Sequence, residues 1–362
     1  MYKNLLLILI WHCLTPSFVI AQQEKMQQPL DRQSDLYNTD TRQILLDHEH
    51  EMAAVIQYLS SPQFEGRETG TAGAEMAARY IASEFLQAGI EPFNHAQPGN
   101  PVFEDFYQNF IIIRSVNHRL LADSILKDKE ETSLYNTEGN SINNPEVHTD
   151  TLEGINVIGK LRGTDTTCTI IIGAHYDHLG QRGDTIYFGA DDNASGVAGL
   201  ITLAKYFSQT GRKPPCNILF ASWAAEEKGL LGSKYFASQL SADEDIRLYL
   251  NMDMISRSAP EDTLNNIVSI GTRKSDEYLR IIAGRLNHES FGNFFEFDLW
   301  EVDGHYGSDY AYFRDRSIPV ATFFSGFHDD YHSPNDLYSS IDLRKCNKTI
   351  NFIRLFIEQV MN

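Results

Sequence analysis

Short apolar runs alternate with helix-length amphipathic segments along most of this chain, and that alternation restricts the fold more than any other feature. Phe110–Ile113, Ile155–Ile158, Thr169–Ile172, Ile218–Ala221 and Leu248–Met252 have the length and the Ile, Leu and Phe content of buried strands. Ile267–Ile270 and Pro319–Phe324 repeat the pattern. Helical spacing lies between several of them, at Ser195–Phe207, Gly229–Gln239 and Ser275–Leu286, with a last helix at Leu343–Val360. Two helices precede the runs, Ile44–Leu59 and Glu75–Ala88, the second stopped by Gly89. Strands that alternate with helices predict a three-layer α/β/α domain around a central mixed, mostly parallel sheet.

The N-terminus reads differently. Leu5–Ile10 is apolar behind a weakly basic start, and Val19-Ile20-Ala21 resembles a small-residue cleavage site. Residues 1–21 are therefore predicted to be a signal peptide, and the location to be periplasmic or extracellular. His12, Thr15 and Pro16 interrupt the stretch, and no later segment is as apolar, so no stable membrane span is expected in the mature chain. Residues 22–40 are polar and read as a flexible leader. Residues 41–362 read as one domain, in which the polar stretch 117–152 is a surface excursion with turn signals at Gly139-Asn140 and Asn143-Asn144-Pro145. The balance of 49 Asp and Glu against 30 Lys and Arg argues against a nucleic-acid partner. The sequence carries no signal of an oligomeric state. Cys168, Cys216 and Cys346 remain after the leader, an odd number that excludes a disulfide framework. Cys168 and Cys216 each open a predicted strand, and a bridge and two buried thiols are both open readings.

In an open α/β sheet, ligands gather beyond the carboxyl ends of the strands. Titratable residues stand at several of these ends: His175 and Asp177 after Thr169–Ile172, Glu226 and Glu227 after Ile218–Ala221, Asp253 after Leu248–Met252, and His332 beyond Pro319–Phe324. Asp191 lies just before the helix Ser195–Phe207. Each has an ordinary explanation alone. Asp191-Asp192 suits a helix N-terminus, and a loop histidine is commonly a surface group. Jointly they place two histidines and several carboxylates on one sheet edge. Adjacent Glu226 and Glu227 beside a core strand raise each other's pKa, and burial raises both, so a cation is expected to compensate. Imidazole and carboxylate donors without a thiolate cluster suit a catalytic metal site better than a closed structural one.

These motifs resemble a known family. Gly66-Arg67, Gly70-Thr71-Ala72-Gly73, His175-Tyr176-Asp177-His178, Gly189-Ala190-Asp191-Asp192-Asn193-Ala194-Ser195-Gly196, Ala225-Glu226-Glu227, Met252-Asp253-Met254 and His332-Ser333-Pro334-Asn335-Asp336 make the chain similar to the co-catalytic zinc aminopeptidases of the bacterial leucyl aminopeptidase type (peptidase clan MH). Glutamate carboxypeptidase and glutaminyl cyclase are related to them. The resemblance runs from about Phe64 to the C-terminus. It implies a zinc-exopeptidase fold, a peptide substrate and two Zn2+ ions, with cobalt or manganese as substitutes. It implies that His175 and Asp253 hold one metal, Glu227 and His332 the other, and that Asp191 bridges them. Glu226 would move the proton of the attacking water, and Asp177 would orient His175. The bond Asp191-Asp192 would be cis. His305, slightly favoured, and Tyr306 are the candidate oxyanion donors, while His178 is read as loop support and His328 has no role assigned.

Rival motifs fail. His48-Glu49-His50-Glu51-Met52 has Met52 where a helical zinc motif needs its second histidine. Ser195 lacks the flanking glycines of a nucleophile elbow. Two alternatives to a metallo-aminopeptidase stand: a glutaminyl-cyclase-like single-zinc aminoacyltransferase, and a catalytically inert receptor-like or binding relative.

Overall fold

The computed structural model describes residues 49–94, 102–115, 120–126 and 149–362, all within one compact unit, Leu45–Asn362. The expected signal peptide and leader, the start of the first helix and the middle of the 117–152 excursion lie outside the described residues.

Helices α1 (Glu49–Leu59) and α2 (Ala72–Gln87) come first. The Thr71 hydroxyl caps α2 by accepting from the Ala74 amide, and Ala74, Ala77, Ala78, Ile81, Ala82 and Phe85 form its buried stripe at helical spacing. Strands β1 (Glu91–Pro92), β2 (Tyr107–Ser115), β3 (Leu120–Leu126), β4 (Thr149–Leu161) and β5 (Asp165–His175) follow, then a small hairpin of β6 (Gln181–Arg182) and β7 (Thr185–Ile186). After helix α3 (Gly196–Gln209) come β8 (Cys216–Trp223), α4 (Leu231–Gln239), β9 (Asp245–Met252), β10 (Ile267–Thr272), α5 (Glu277–Phe291), β11 (Glu296–Glu301), α6 (Tyr310–Asp315), β12 (Val320–Phe324) and α7 (Leu343–Met361).

The sheet runs β11-β10-β12-β9-β5-β8-β4-β2-β3, with β1 added beside β4. Its centre, β12, β9, β5 and β8, is parallel, as is the edge pair β10 and β11. The joins of β10 to β12 and of β8 to β4, and the β1, β2 and β3 pairings, are antiparallel. The sheet is thus mixed, and the parallel part is the part that carries the polar strand ends. Part of the expected excursion is sheet: β3 pairs with β2, and β4 already begins at Thr149.

Central strands buried on both faces need continuous apolar runs. Ile170, Ile171 and Ile172 are all fully buried. Ile171, Leu219, Ala221, Trp223 and Tyr249 form one core with Phe236 of α4 and Phe313 of α6, where Tyr249 stacks on Phe313 at 3.8 Å. The alternate residues Ile170, Ile172, Ile218, Phe220, Leu248 and Leu250 are also buried, and α3 packs on β5, β8 and β9. Period-two alternation therefore supplies two apolar faces, each covered by helices. Cys168 and Cys216 form a disulfide with a Cα–Cα distance of 5.1 Å, which decides that open reading. The bridge ties β5 to β8 near their amino ends, so their carboxyl ends face the other edge. Cys346 is a buried free thiol.

Candidate metal centre

Because β5, β8, β9 and β12 run in the same direction, the residues after them share one edge. His175 ends β5; Glu226 and Glu227 follow β8; Asp253 follows β9; His332 lies in the loop after β12. The loop before α3 joins them. His175 Nε2 lies 3.3 Å from Asp253 Oδ1 and 3.4 Å from Asp192 Oδ1. His332 Nε2 lies 3.2 Å from both Asp192 Oδ2 and Glu227 Oε2. Two donors bound ~2.0–2.1 Å from one tetrahedral metal stand about 3.3–3.4 Å apart, so these spacings fit two ions on either side of one carboxylate. Two groups of donors lie within 4.8 Å, His175 with Asp192 and Asp253, and His178 with Asp192 and Glu227. Asp192 is common to both.

The carboxylate that stands between His175 and His332 is Asp192, so the expectation that Asp191 occupies this place is corrected. Asp191 turns the other way: its Oδ1 and Oδ2 accept the backbone amides of Ser256 and Arg257 at 3.0 and 3.1 Å. Asp336 accepts the amides of both Asp191 and Asp192 and holds the loop from beneath. The cis peptide bond is likewise one residue later than expected, at Asp192-Asn193. Asn193 fixes the next turn by donating to the Met252 carbonyl and accepting from the Gly196 and Met254 amides.

Asp177 sits behind His175 with a revised division of labour. Its backbone carbonyl lies 3.1 Å from His175 Nδ1, whereas its carboxylate stays 3.8 Å away. That carboxylate instead accepts the Thr69 hydroxyl and the Glu226 amide, and so joins the β5 and β8 loops. Burial pushes its pKa up to about 6.

Arg67 lies fully buried under the same loops. Its guanidinium donates to the carbonyls of Leu59, Tyr176, Phe188 and Gly189 at 2.7–2.8 Å. Burial lowers its pKa to about 10 against the pull of Asp192, Asp336, Asp177 and Glu227, so it stays charged at neutral pH. One side chain thus bonds the end of α1, the His175 loop and the loop leading to Asp192. The motif Gly66-Arg67 was visible in the sequence; its four acceptors, up to 122 residues away, were not.

The site is rich in negative charge. Burial tends to depress the His175 pKa, but Glu226, Asp253 and Asp192 outweigh it and raise the value well above the usual range. Glu226 is pushed well up by burial, opposed by His175. Glu227 goes the other way, because hydrogen bonds from His178 and His332 overcome burial and hold it far below the usual range. Such a cluster of carboxylates and imidazoles, without thiolate, calls for bound cations and fits zinc, cobalt or manganese.

A cavity of about 260 Å³ opens over the cluster, lined by His175, Asp192, Glu226, Asp253 and His332 together with Trp300, Phe324, Phe327 and Tyr331. Among the described residues no lysine or arginine lines it. His305 and Tyr306 also reach it, but the Tyr306 hydroxyl donates to Asp315 at 2.7 Å, and His305 is exposed at the rim. Tyr331 is the tyrosine next to the charged cluster on the cavity wall. Its ring stacks on His332 at 3.8 Å, and burial with the nearby Asp192, Glu227, Asp253 and Glu226 raises its pKa. Its position immediately before His332 was the signal available in the sequence.

The chain matches the family described as peptidase family M28 over residues 156–357. Leupeptin-inactivating enzyme 1 of Streptomyces exfoliatus is 32% identical over 179 residues, which is 48% of this chain and 36% of that protein. A probable leucine aminopeptidase 2 of Aspergillus oryzae is 40% identical over 103 residues, 28% of this chain and 19% of that protein. The chain thus spans little more than a third of the first of these relatives and a fifth of the second. Among solved structures, an aminopeptidase from Aneurinibacillus sp. strain AM-1 superposes with a TM-score of 0.64 at 20% identity, covering 88% of this chain and 96% of that one. A glutaminyl cyclase from Porphyromonas gingivalis gives 0.56 at 15% identity, covering 86% and 98%. These two likenesses concern the fold. With more than half of its 362 residues inside the family match, the chain belongs to peptidase family M28.

Proposed function

We propose that this chain is an exported zinc-dependent aminopeptidase, with Asp192 shared by two metal positions and Glu226 as the general base. The observation that carries the reading is the pair of donor sets meeting at Asp192, His175 and Asp253 on one side, Glu227 and His332 on the other. Zinc bound there would act as a Lewis acid on the peptide carbonyl and lower the pKa of a water. Glu226 lines the cavity beside both sets. In this reading it takes a proton from the attacking water and returns it to the departing amine. Tyr331, which lines the same cavity, would donate its hydroxyl to the carbonyl oxygen as negative charge develops.

The cavity supports action at the amino end of the substrate. A carboxypeptidase of the kind that holds the terminal carboxylate with a lysine or arginine is less well served, since neither is among the described residues that line this space. The aromatic wall of Trp300, Phe324, Phe327 and Tyr331 suits a large apolar first side chain. The disulfide between Cys168 and Cys216 supports an oxidising compartment. Among the described residues no helix is long and apolar enough to cross a membrane.

The test is metal analysis of the purified chain combined with turnover of free-amine, N-blocked and N-terminal-Gln peptides. The reading expects two metals per chain and release of free amino acids from free-amine peptides alone. Cyclisation of the Gln peptide with one metal would support the cyclase-like alternative instead, and no turnover of any peptide would support an inert binder. Glu226→Gln is expected to keep its metal content and lose about 10²–10⁴ in kcat; normal turnover would remove Glu226 as the base.

A further inference from the structure

His178 is a fully buried imidazole at the centre that the reading above leaves without a task. Its Nδ1 lies 2.8 Å from Glu227 Oε1 and 3.6 Å from Asp192 Oδ2. Its Nε2 is buried with no hydrogen-bond partner among the described residues. The ring packs flush on Gly189, where an added Cβ would stand 2.6 Å from its Cγ and Cδ2. Its position is therefore fixed by the backbone.

We propose that His178 is a positioning residue, which donates its Nδ1–H to Glu227 Oε1 and so presents Oε2 to the metal position shared with His332. Two features separate it from the ligands. The first is distance. The spacings of His175 to Asp192 and Asp253 and of His332 to Asp192 and Glu227, 3.2–3.4 Å, match two donors on one metal, whereas 2.8 Å is a charge-assisted hydrogen bond. An Nδ1–H donated to Oε1 accounts for that contact, and a nitrogen that keeps its proton does not bind a metal. The second is the far side of the ring. A ligating histidine donates its other N–H to a partner, as His175 Nδ1 can to the Asp177 carbonyl. His178 Nε2 has no such partner among the described residues. The two oxygens of Glu227 are thus shared out, Oε1 to His178 and Oε2 to His332, which favours one-oxygen binding.

The inference rests on the two-metal reading for its consequence but not for its geometry, and the two are tested apart. Nitrogen-15 NMR of the histidine-labelled full chain, metal-free and zinc-loaded, is expected to show His178 protonated at Nδ1 and bare at Nε2 in both states, an assignment made by loss of the signal in His178→Asn. A zinc-loaded spectrum with Nε2 protonated and Nδ1 metal-bound would overturn the proposal. That readout holds even if the wild type takes up fewer than two metals, a result that would count against the two-metal reading alone. Chelator competition then measures zinc affinity. His178→Ala is expected to weaken one of the two sites by roughly 10–100-fold and leave the other unchanged. His178→Asn, whose amide nitrogen can stand where Nδ1 stood, is expected to recover most of the loss. Unchanged affinity in His178→Ala, or no recovery in His178→Asn, would contradict the role.

Discussion

Asp191 and Asp192 are the same side chain at adjacent positions, and only the backbone tells them apart. The turn before α3 sends Asp192 between His175 and His332 and sends Asp191 down to the amides of Ser256 and Arg257. A sequence shows that an aspartate is needed here, but not which of two neighbours faces the site, because that depends on backbone angles set by distant partners such as Asp336 and Met252. Asp192→Asn is therefore expected to lose metal at both positions, whereas Asp191→Asn is expected to keep two metals. The Asp191 change should cost about 1–3 kcal/mol of stability, read from denaturant unfolding, because one buried amide loses its acceptor. Equal metal loss in both variants would contradict the assignment. The same limit applies to the oxyanion donor. His305 and Tyr306 have suitable chemistry, but the Tyr306 hydroxyl is spent on Asp315. Tyr331→Phe is expected to lower kcat about 10²–10³-fold, with metal content unchanged, while Tyr306→Phe should change kcat little.

Among elements, legibility followed burial. The central strands β5, β8 and β9 were readable because both of their faces are covered and their runs are mostly apolar. Strand β11, Glu296-Phe297-Asp298-Leu299-Trp300-Glu301, was not assigned from sequence. It is an edge strand with mostly exposed side chains and charges that mask its period. The contacts that hold the loops were hidden for a different reason, since they join segments far apart in the chain. Arg67 bonds four carbonyls in three segments, so Arg67→Met is expected to destabilise the chain by about 3–5 kcal/mol. Denaturant unfolding would show it, and a loss below about 1 kcal/mol would mean that the carbonyls find other donors. The disulfide lies toward the opposite edge and closes a 48-residue separation. Chain-entropy reasoning gives it about 4 kcal/mol. Its reduction should lower Tm while leaving kcat of the folded enzyme intact.

At the scale of the whole molecule, the formal charge of −19 includes the carboxylates gathered at one sheet edge, and pH should act through them. In the metal-free chain, hydrogen bonds to Asp192 and Glu227 raise the His332 pKa to about 10. The sign follows from linkage. A raised pKa contributes stability below the unfolded value of ~6.5, and that contribution fades as the pH climbs through about 10. A metal takes the place of the His332 proton, so uptake near neutral pH should release protons, and the apparent affinity should rise with pH. Calorimetry in buffers of different ionisation enthalpy checks this; heats independent of the buffer would contradict it. The fold class was readable from the alternation of strands and helices, and the set of strand ends from their polar residues. The pairing of donors around Asp192 needed the parallel register of β5, β8, β9 and β12.

The most direct test of the account is a crystal structure of the zinc-loaded chain with anomalous data on both sides of the zinc edge. The expected result is two peaks about 3.5–4 Å apart, with the Asp192 carboxylate between them, His175 and Asp253 on one, Glu227 and His332 on the other. A single peak, or two peaks with Asp191 between them, would contradict it.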